Sequence, residues 1–590
     1  MDQSDGYRQL EAILEVTSSP VFYRNRFGKD ALNAGAEGRE QFQLYEKDYP
    51  TVYILHSPRK NKKGEAYVGE TCHFRTRMRS HLKNGKRRRL ERVVAIGCET
   101  FNKSATYNIE SNLISCMLAD GAYVLQNERQ TSSEFVMHNY FGKPYYDGPL
   151  FQLVWDELIR LGIARNALEV VKNRDVFKLS PYKQLSASQN ELVQEAVRFC
   201  EAHVGEDGHA VFLIRGDAGT GKSVVLSSLF KTLVDRASDP SSTLSGAKSR
   251  FVVNHTEQLK TYHDIARGVE GLRLNQFMKP TSFINAVQKG RMRADVVVVD
   301  EAHLLLSRSD AFNSYKGDNH LREIVENSRV AIIVYDDRQV LKMKSYWDRK
   351  LLQEALASAG AHVEFELTEQ FRMQADQSVI DWIEAFVGCK EMREFPKARN
   401  DGAKDEGFEF RVFADAVAMH EAIRKKNDEE SLSRVIATFD YEHKKDGRTY
   451  YVEEGSFKLP WNKPKEGETW AERDETIDEV GSIYTVQGFD LNYAGVILGP
   501  SITYDRQTDR IKVLPERYRD TEAFKWSGDF PVKEIPQIKE RIILNSVNVL
   551  MKRAMKGLYL YASDDALRKR LMELQEESLA REYYDDAVKE

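Results

Sequence analysis

At 590 residues the chain is long enough for several domains, and its 41% hydrophobic and 30% charged residues exclude a disordered or fibrous class. No run approaches the roughly 18 uncharged apolar residues that cross a bilayer. The opening Met1-Asp2-Gln3-Ser4-Asp5 lacks the basic-then-apolar pattern of a secretory leader, so a cytoplasmic protein with no membrane partner is expected. The five cysteines, Cys72, Cys98, Cys116, Cys200 and Cys389, are odd in number and scattered, which argues against a disulfide framework or a zinc ribbon.

A net charge of -5 hides an asymmetry. Between Arg59 and Lys103 there are 14 Lys and Arg against 4 Asp and Glu, a local net of +10. Such a patch is the footprint of phosphate-backbone binding, although Lys86-Arg87-Arg88-Arg89 alone fits a solvated loop equally well.

In chain order, residues 1–48 carry no legible element and stand as an N-terminal segment. Residues 49–130 read as a small α/β unit. Thr51-Val52-Tyr53-Ile54-Leu55 and Ala66-Tyr67-Val68-Gly69 are predicted strands, joined by a polar turn through Pro58 and Gly64. Basic helical text follows over Phe74 to Leu82, and a second helix over Ala105 to Leu118. Within residues 131–185, Phe151, Val154, Trp155, Leu158 and Leu161 recur at helical spacing, which predicts a connector. Residues 186–360 and 361–563 alternate short apolar runs with helical stretches, the pattern of parallel sheets covered by helices. Leu567, Leu571 and Leu574 share one face of a closing helix over 564–590.

Val211-Phe212-Leu213-Ile214 is a buried-strand signal. It is followed by Gly216-Asp217-Ala218-Gly219-Thr220-Gly221-Lys222-Ser223 and then by helical text, the G-x-x-x-x-G-K-S spacing in its required strand–loop–helix setting. Gly216, Gly219 and Gly221 let successive backbone N–H groups curl onto phosphate oxygens, and the helix adds its positive end. Lys222 would neutralise the β- and γ-phosphates of ATP, and Ser223 would ligate Mg2+. Val296-Val297-Val298-Val299 is too short for a helix and delivers Asp300 and Glu301 at a strand's C-terminal end. Asp300 is expected to hold the Mg2+, and Glu301 to polarise the attacking water.

Downstream, Tyr335-Asp336-Asp337-Arg338-Gln339 resembles the D-x-x-Q motif of superfamily 1 helicases. Leu367-Thr368-Glu369-Gln370-Phe371-Arg372-Met373, Thr485-Val486-Gln487-Gly488-Phe489-Asp490 and Leu550-Met551-Lys552-Arg553-Ala554 resemble that family's later motifs, in the right order. Leu185-Ser186-Ala187-Ser188-Gln189 resembles its glutamine motif. The wording of the later segments is similar to Schlafen-like helicase domains of bacterial proteins. The resemblance implies two RecA-like parallel-sheet lobes with ATP between them. Gln189 would read adenine, Gln339 would sense the γ-phosphate, Gly488 would lie in the nucleotide-binding set, and Arg372 and Arg553 would reach the phosphates from the second lobe. Lys552 departs from the family's customary threonine.

Tyr53, Tyr67, Gly69, Arg77, His81, Glu110 and Asn127 resemble the GIY-YIG nuclease family in order and spacing. Arg77 and His81 are four apart and share a helix face. The resemblance implies a metal-dependent endonuclease in which Glu110 anchors Mg2+ or Mn2+, Arg77 stabilises the phosphate transition state, and Tyr53, or else Tyr67, takes a proton from water with help from His81. Asn127 is carried over as a further catalytic position. Neighbouring cations are expected to lower the tyrosine pKa. The first motif reads Thr-Val-Tyr instead of Gly-Ile-Tyr, and the hairpin is longer than usual. The combination implies a nucleic-acid partner, with DNA ahead of RNA, and points to restriction of foreign nucleic acid such as phage defence. A nucleotide-dependent sensor that does not unwind, or a repair nuclease-helicase, remains open.

Overall fold

The computed structural model describes residues 19–28, 39–59, 62–128, 138–216, 219–309, 315–347, 349–367, 369, 373–396, 407–444, 446–461, 463, 470–486, 490–525 and 531–587. Its architecture is α/β, with three main sheets.

The first sheet holds β1 (Val21–Arg26), β2 (Thr51–His56), β3 (Gly64–Thr71), β4 (Arg92–Gly97) and β5 (Tyr123–Leu125), ordered β1-β4-β2-β3-β5. All its pairings are antiparallel except β3 with β5. Strand β1 falls in the stretch where the sequence shows no element. Its contribution, Tyr23, packs among aromatic residues that are distant in sequence. Strand β2 divides its side chains by alternation. Val52 and Ile54 face the main core, whereas Tyr53 and Leu55 face a second cluster with Tyr67, Phe74 and Met78. That alternation puts Tyr53 and Tyr67 on the side of the Phe74–Lys83 helix.

The second sheet, ordered β11-β6-β10-β9-β7-β8, is parallel throughout. It contains β6 (Ala210–Gly216), β7 (Ser249–Val253), β8 (Phe277–Met278), β9 (Val296–Asp300), β10 (Val330–Tyr335) and β11 (Ala361–Leu367). Strand β9 is buried along its whole length, as a valine run covered on both faces must be. The sequence pattern puts the residues of β11 in the second lobe. Instead this strand closes the edge of the second sheet against β6, because His362, Glu364 and Glu366 suit an exposed edge and not a central position.

The third sheet, ordered β12-β20-β17-β13-β16, is also parallel. It is built from β12 (Glu409–Val412), β13 (Arg434–Ala437), β16 (Val480–Gly481), β17 (Leu491–Leu498) and β20 (Ala554–Ala562), with the hairpins β14 (Tyr451–Glu454) with β15 (Phe457–Pro460) and β18 (Ile502–Asp505) with β19 (Arg510–Val513) beside it. The Asp565–Ala587 helix docks by Leu567, Leu571 and Leu574, all buried in this lobe's core.

Two features join these units. One apolar core runs from the first sheet through the Pro149–Arg160 helix into the second sheet, from Val52 to Leu367. At the seam Leu125 bridges Val269, the N–H of Glu270 donates to the carbonyl of Leu125 at 2.9 Å, and Lys86 pairs with Glu270 at 3.2 Å. In addition, Leu341 and Met343 follow β10 yet pack into the third sheet's core, while Trp347 returns to the second sheet's core. The chain therefore crosses between the lobes immediately after the D-x-x-Q turn. Among the described residues no helix is long and apolar enough to cross a membrane, and the five cysteines are unpaired, with Cys98, Cys116 and Cys200 buried.

Candidate nucleotide cleft and N-terminal tyrosine site

Strand β6 runs into the glycine loop, and the Lys222–Ser238 helix leaves it. Gly219 and Gly221 have φ of +95° and +77°, a backbone region that a side chain would strain. The N-cap is Gly221, which has no side chain to cap the helix, and the positive end of such a helix suits an anionic ligand. Lys222 is buried, and its Nζ lies 2.6 Å from the carbonyl of Gly216 and 3.1 Å from Asp336 Oδ2. Asp336 also accepts from Gln339 Nε2 at 2.7 Å and from the Arg338 N–H at 3.1 Å. Burial pushes the Asp336 carboxyl up, but Lys222, His303 and these hydrogen bonds outweigh it and hold the acid below its ordinary value. The D-x-x-Q turn and the phosphate loop thus meet at one carboxylate.

Asp300 sits at the end of β9, fully buried. Its Oδ2 accepts from Gln258 Nε2 and from Tyr262 Oη, both at 2.8 Å. The same Gln258 Nε2 donates to Ser223 Oγ at 3.2 Å. The Asp300 and Ser223 oxygens are therefore close enough to share one N–H group, a donor set of oxygens that fits a divalent cation. Burial first, and then Glu301, raise Asp300 to about 7. Gln258 and Tyr262 carry no signal in the sequence. The Thr256–Gly268 helix that holds them has no motif, and only folding brings it against β9.

Glu301 adopts φ +50°, a conformation rare for a residue with a side chain and one that gathers at functional sites. Among the described residues its buried Oε2 has no hydrogen-bond partner. His303 Nε2 lies 3.1 Å from that oxygen without hydrogen-bond geometry. His303 is held neutral by burial, and Glu301, Asp336, Lys222 and Arg553 all act on its charge. This places Arg553, from the start of the third sheet's last strand, in the same charged neighbourhood as Lys222. Arg553 itself is 1% exposed. Gln189 is engaged locally: it forms a capping box with Ser186, and its Nε2 donates to the carbonyl of Thr220 in the phosphate loop at 3.1 Å. Ser186 and Ser188 both donate at 2.7 Å to Glu369, which links the glutamine motif to the Q-F-R-M segment. Arg372 and Gly488 lie outside the described residues.

In the first sheet Tyr53, Tyr67, Arg77 and His81 come together. Tyr53 Oη is 2.7 Å from His81 Nε2 and accepts from Arg77 Nε at 3.2 Å. The rings of Tyr67 and His81 are 5.0 Å apart, and the Arg87 guanidinium lies 4.0 Å over Tyr67. Gly69 is required by a close approach, since a Cβ there would stand 2.4 Å from Tyr53 Oη. The expectation that cations lower the phenol pKa is corrected. Burial dominates and carries Tyr53 well above its ordinary value despite Arg77, while Tyr67 is likewise raised by burial against Arg87. His81 is pulled down to about 3 by burial and then by Arg77 and Arg87, so it is neutral and its ring nitrogen can accept the Tyr53 hydrogen bond.

Glu110 lies buried on the Lys103–Asp120 helix and raises both tyrosines electrostatically. Burial first, and then Glu70, lift its carboxyl to about 8. Glu70 is held by Lys103 at 2.5 Å. No group of three or more His, Cys, Asp or Glu that could hold a metal occurs among the described residues. Asn127 stands apart from this chemistry: its amide grips the backbone of Val68 at both ends, donating to the carbonyl at 2.8 Å and accepting from the N–H at 3.2 Å.

A phosphate loop, an acidic strand end and an arginine from a second parallel sheet define a two-lobed P-loop protein. Residues 209–564 match the family described as Schlafen group 3, DNA/RNA helicase domain, and the chain belongs to that family. An uncharacterized protein of Saccharomyces cerevisiae is 40% identical over 433 residues, which span 68% of this chain and 93% of the yeast protein. Among solved structures, domain III of the Thermotoga maritima replication initiation protein DnaA shares 14% identity over 30% of this chain and 64% of that one, at a TM-score of 0.17, a likeness too slight to carry a function.

Proposed function

We propose that the chain is a nucleic-acid-dependent ATP hydrolase of the helicase type, with a metal-dependent phosphodiester nuclease at its front. The observation that carries the first half is geometric: Asp336 of the D-x-x-Q turn holds Lys222 of the phosphate loop at 3.1 Å, and Arg338 of the same turn shares Glu384 with Lys552, the neighbour of Arg553 from the other lobe. In this reading the glycine loop and Lys222 bind the triphosphate, while Ser223 and Asp300 hold Mg2+, positioned by Gln258 and Tyr262. Mg2+ supplies charge neutralisation of the β- and γ-phosphates when bound. Glu301 orients water toward the γ-phosphate. Arg553, with Arg372, meets the charge that builds on the transferring group.

In the nuclease half, Glu110 would be the carboxylate for Mg2+ or Mn2+, Arg77 faces the scissile phosphate, and the Tyr53 hydroxyl, held by His81 and Arg77, orients the attacking water. The basic stretch around Lys83, Arg88 and Arg89 is exposed and suits a phosphate backbone. Restriction of foreign nucleic acid is the biological role that this combination fits.

The test is ATP turnover by the full chain with Mg2+, alone and with single- and double-stranded DNA and RNA, while cleavage of the same strands is followed. The reading expects turnover to rise with at least one polymer, and expects cleavage that stops in EDTA. Turnover indifferent to every polymer would instead support the sensor.

A further inference from the structure

We propose that Glu384 is a positioning residue that ties the two lobes together and holds Arg553 in register with the phosphate loop. The proposal rests on the ATP-hydrolase reading above. Glu384 ends the Gln377–Glu384 helix, where the chain widens into a π-turn over Ala385–Cys389. Its two oxygens are divided between the lobes: Oε2 takes Arg338 of the D-x-x-Q turn, and Oε1 takes Lys552.

Each partner leads to the cleft. The N–H of Arg338 donates to Asp336, whose other oxygen holds Lys222 and Gln339. Lys552 is bonded through the backbone to Arg553. Its side chain is 1% exposed, and a buried ammonium needs a countercharge. Here the lysine that replaces the family's customary threonine gains a function. It pins the peptide before Arg553 to a carboxylate that the first lobe also grips. The path from Lys222 to Arg553 therefore runs through Asp336, Arg338, Glu384 and Lys552, with polar contacts at each step between lobes. Nearby, Asn545 Nδ2 donates to the carbonyl of Val340 at 2.9 Å and the N–H of Met343 donates to the carbonyl of Ala523 at 2.8 Å. These contacts flank the Glu384 link where the chain crosses between cores.

The link is separable from folding. Arg338 is 45% exposed, and its removal leaves the buried Lys552–Glu384 pair intact. Arg338→Ala is expected to lower kcat for ATP about fivefold to tenfold, the worth of a partly exposed charged hydrogen bond that fixes a catalytic group. KM and the affinity for a fluorescent ATP analogue should stay within about twofold, because the link acts after nucleotide binding. The melting temperature should not change, and Arg338→Lys should recover most of the rate. Glu384→Gln should show the same kcat loss together with a lower melting temperature, since Lys552 then lacks its countercharge.

An active wild type whose turnover is unaltered by Arg338→Ala would overturn the proposal. So would a loss of kcat that tracks the melting temperature and is not rescued by lysine. A wild type without ATP turnover would remove the hydrolase reading itself, a different and recognisable failure.

Discussion

Lys222→Ala is expected to cut ATP turnover by about a hundredfold to a thousandfold, the usual cost of removing one preorganised charge from a phosphate site. The side chain is buried, and its Nζ is fixed in the phosphate loop by the Gly216 carbonyl and Asp336. Its loss removes the one cation hydrogen-bonded to Asp336 in the described contacts. The acid keeps Gln339 and the Arg338 N–H as donors, which spares the turn from an unsatisfied buried group. Affinity for a fluorescent ATP analogue should fall as well, because Lys222 acts on the ground-state triphosphate. Steady-state hydrolysis and equilibrium titration check the two effects separately, and strand cleavage provides a control for folding.

Glu110→Gln is expected to reduce metal-dependent strand cleavage by about a thousandfold, since a metal supplies several kcal/mol of transition-state stabilisation and each 1.36 kcal/mol is a factor of ten. The variant should also change how stability depends on pH. In the fold, burial raises Glu110 to about 8 from the ordinary 4.5. Below 4.5 the acid is neutral both folded and unfolded, and its contribution is fully present. Between 4.5 and about 8 the unfolded chain gives up the proton and the folded one keeps it, so stability falls as pH rises. One such group contributes a slope of at most about 1.4 kcal/mol per pH unit. Urea melts in EDTA across this window should show the slope in the wild type and its loss in Glu110→Gln. Added Mg2+ or Mn2+ should flatten the wild-type slope, because the cation binds the ionised form and releases the proton.

The phosphate loop and the acidic strand end are legible in the sequence because their chemistry is local. Glycines, lysine and serine stand within eight residues, and strand β9 is a run of valines that suits only a buried strand. The tyrosine constellation is legible for a related reason: a hairpin and one helix turn bring Tyr53, Tyr67, Arg77 and His81 together with little help from the rest of the chain. What escapes a reading of the sequence depends on distant partners. Strand β1 finds its place only against β4, and β11 only against β6. Gln258 and Tyr262 gain their role from Asp300, which lies 42 and 38 residues further along the chain. Glu384 meets Lys552 across 168 residues of its own lobe, and Arg338 only when the two lobes are assembled. The phenol of Tyr53 is raised and not lowered because the burial that outweighs the nearby arginines is a property of the packed sheet, whereas the arginines alone are visible in the sequence.

The central claim is that groups from both lobes act on one triphosphate. It is tested most directly by Arg553→Lys, which keeps a cation at the buried position but removes the planar fork. Equilibrium binding of a fluorescent ATP analogue should be nearly unchanged, while single-turnover hydrolysis should fall about a thousandfold, the lower range for an arginine that reaches a transferring phosphoryl group. Hydrolysis by the Arg553→Lys variant at the wild-type rate would contradict the account, because the second sheet's loop and acids would then be working without the third.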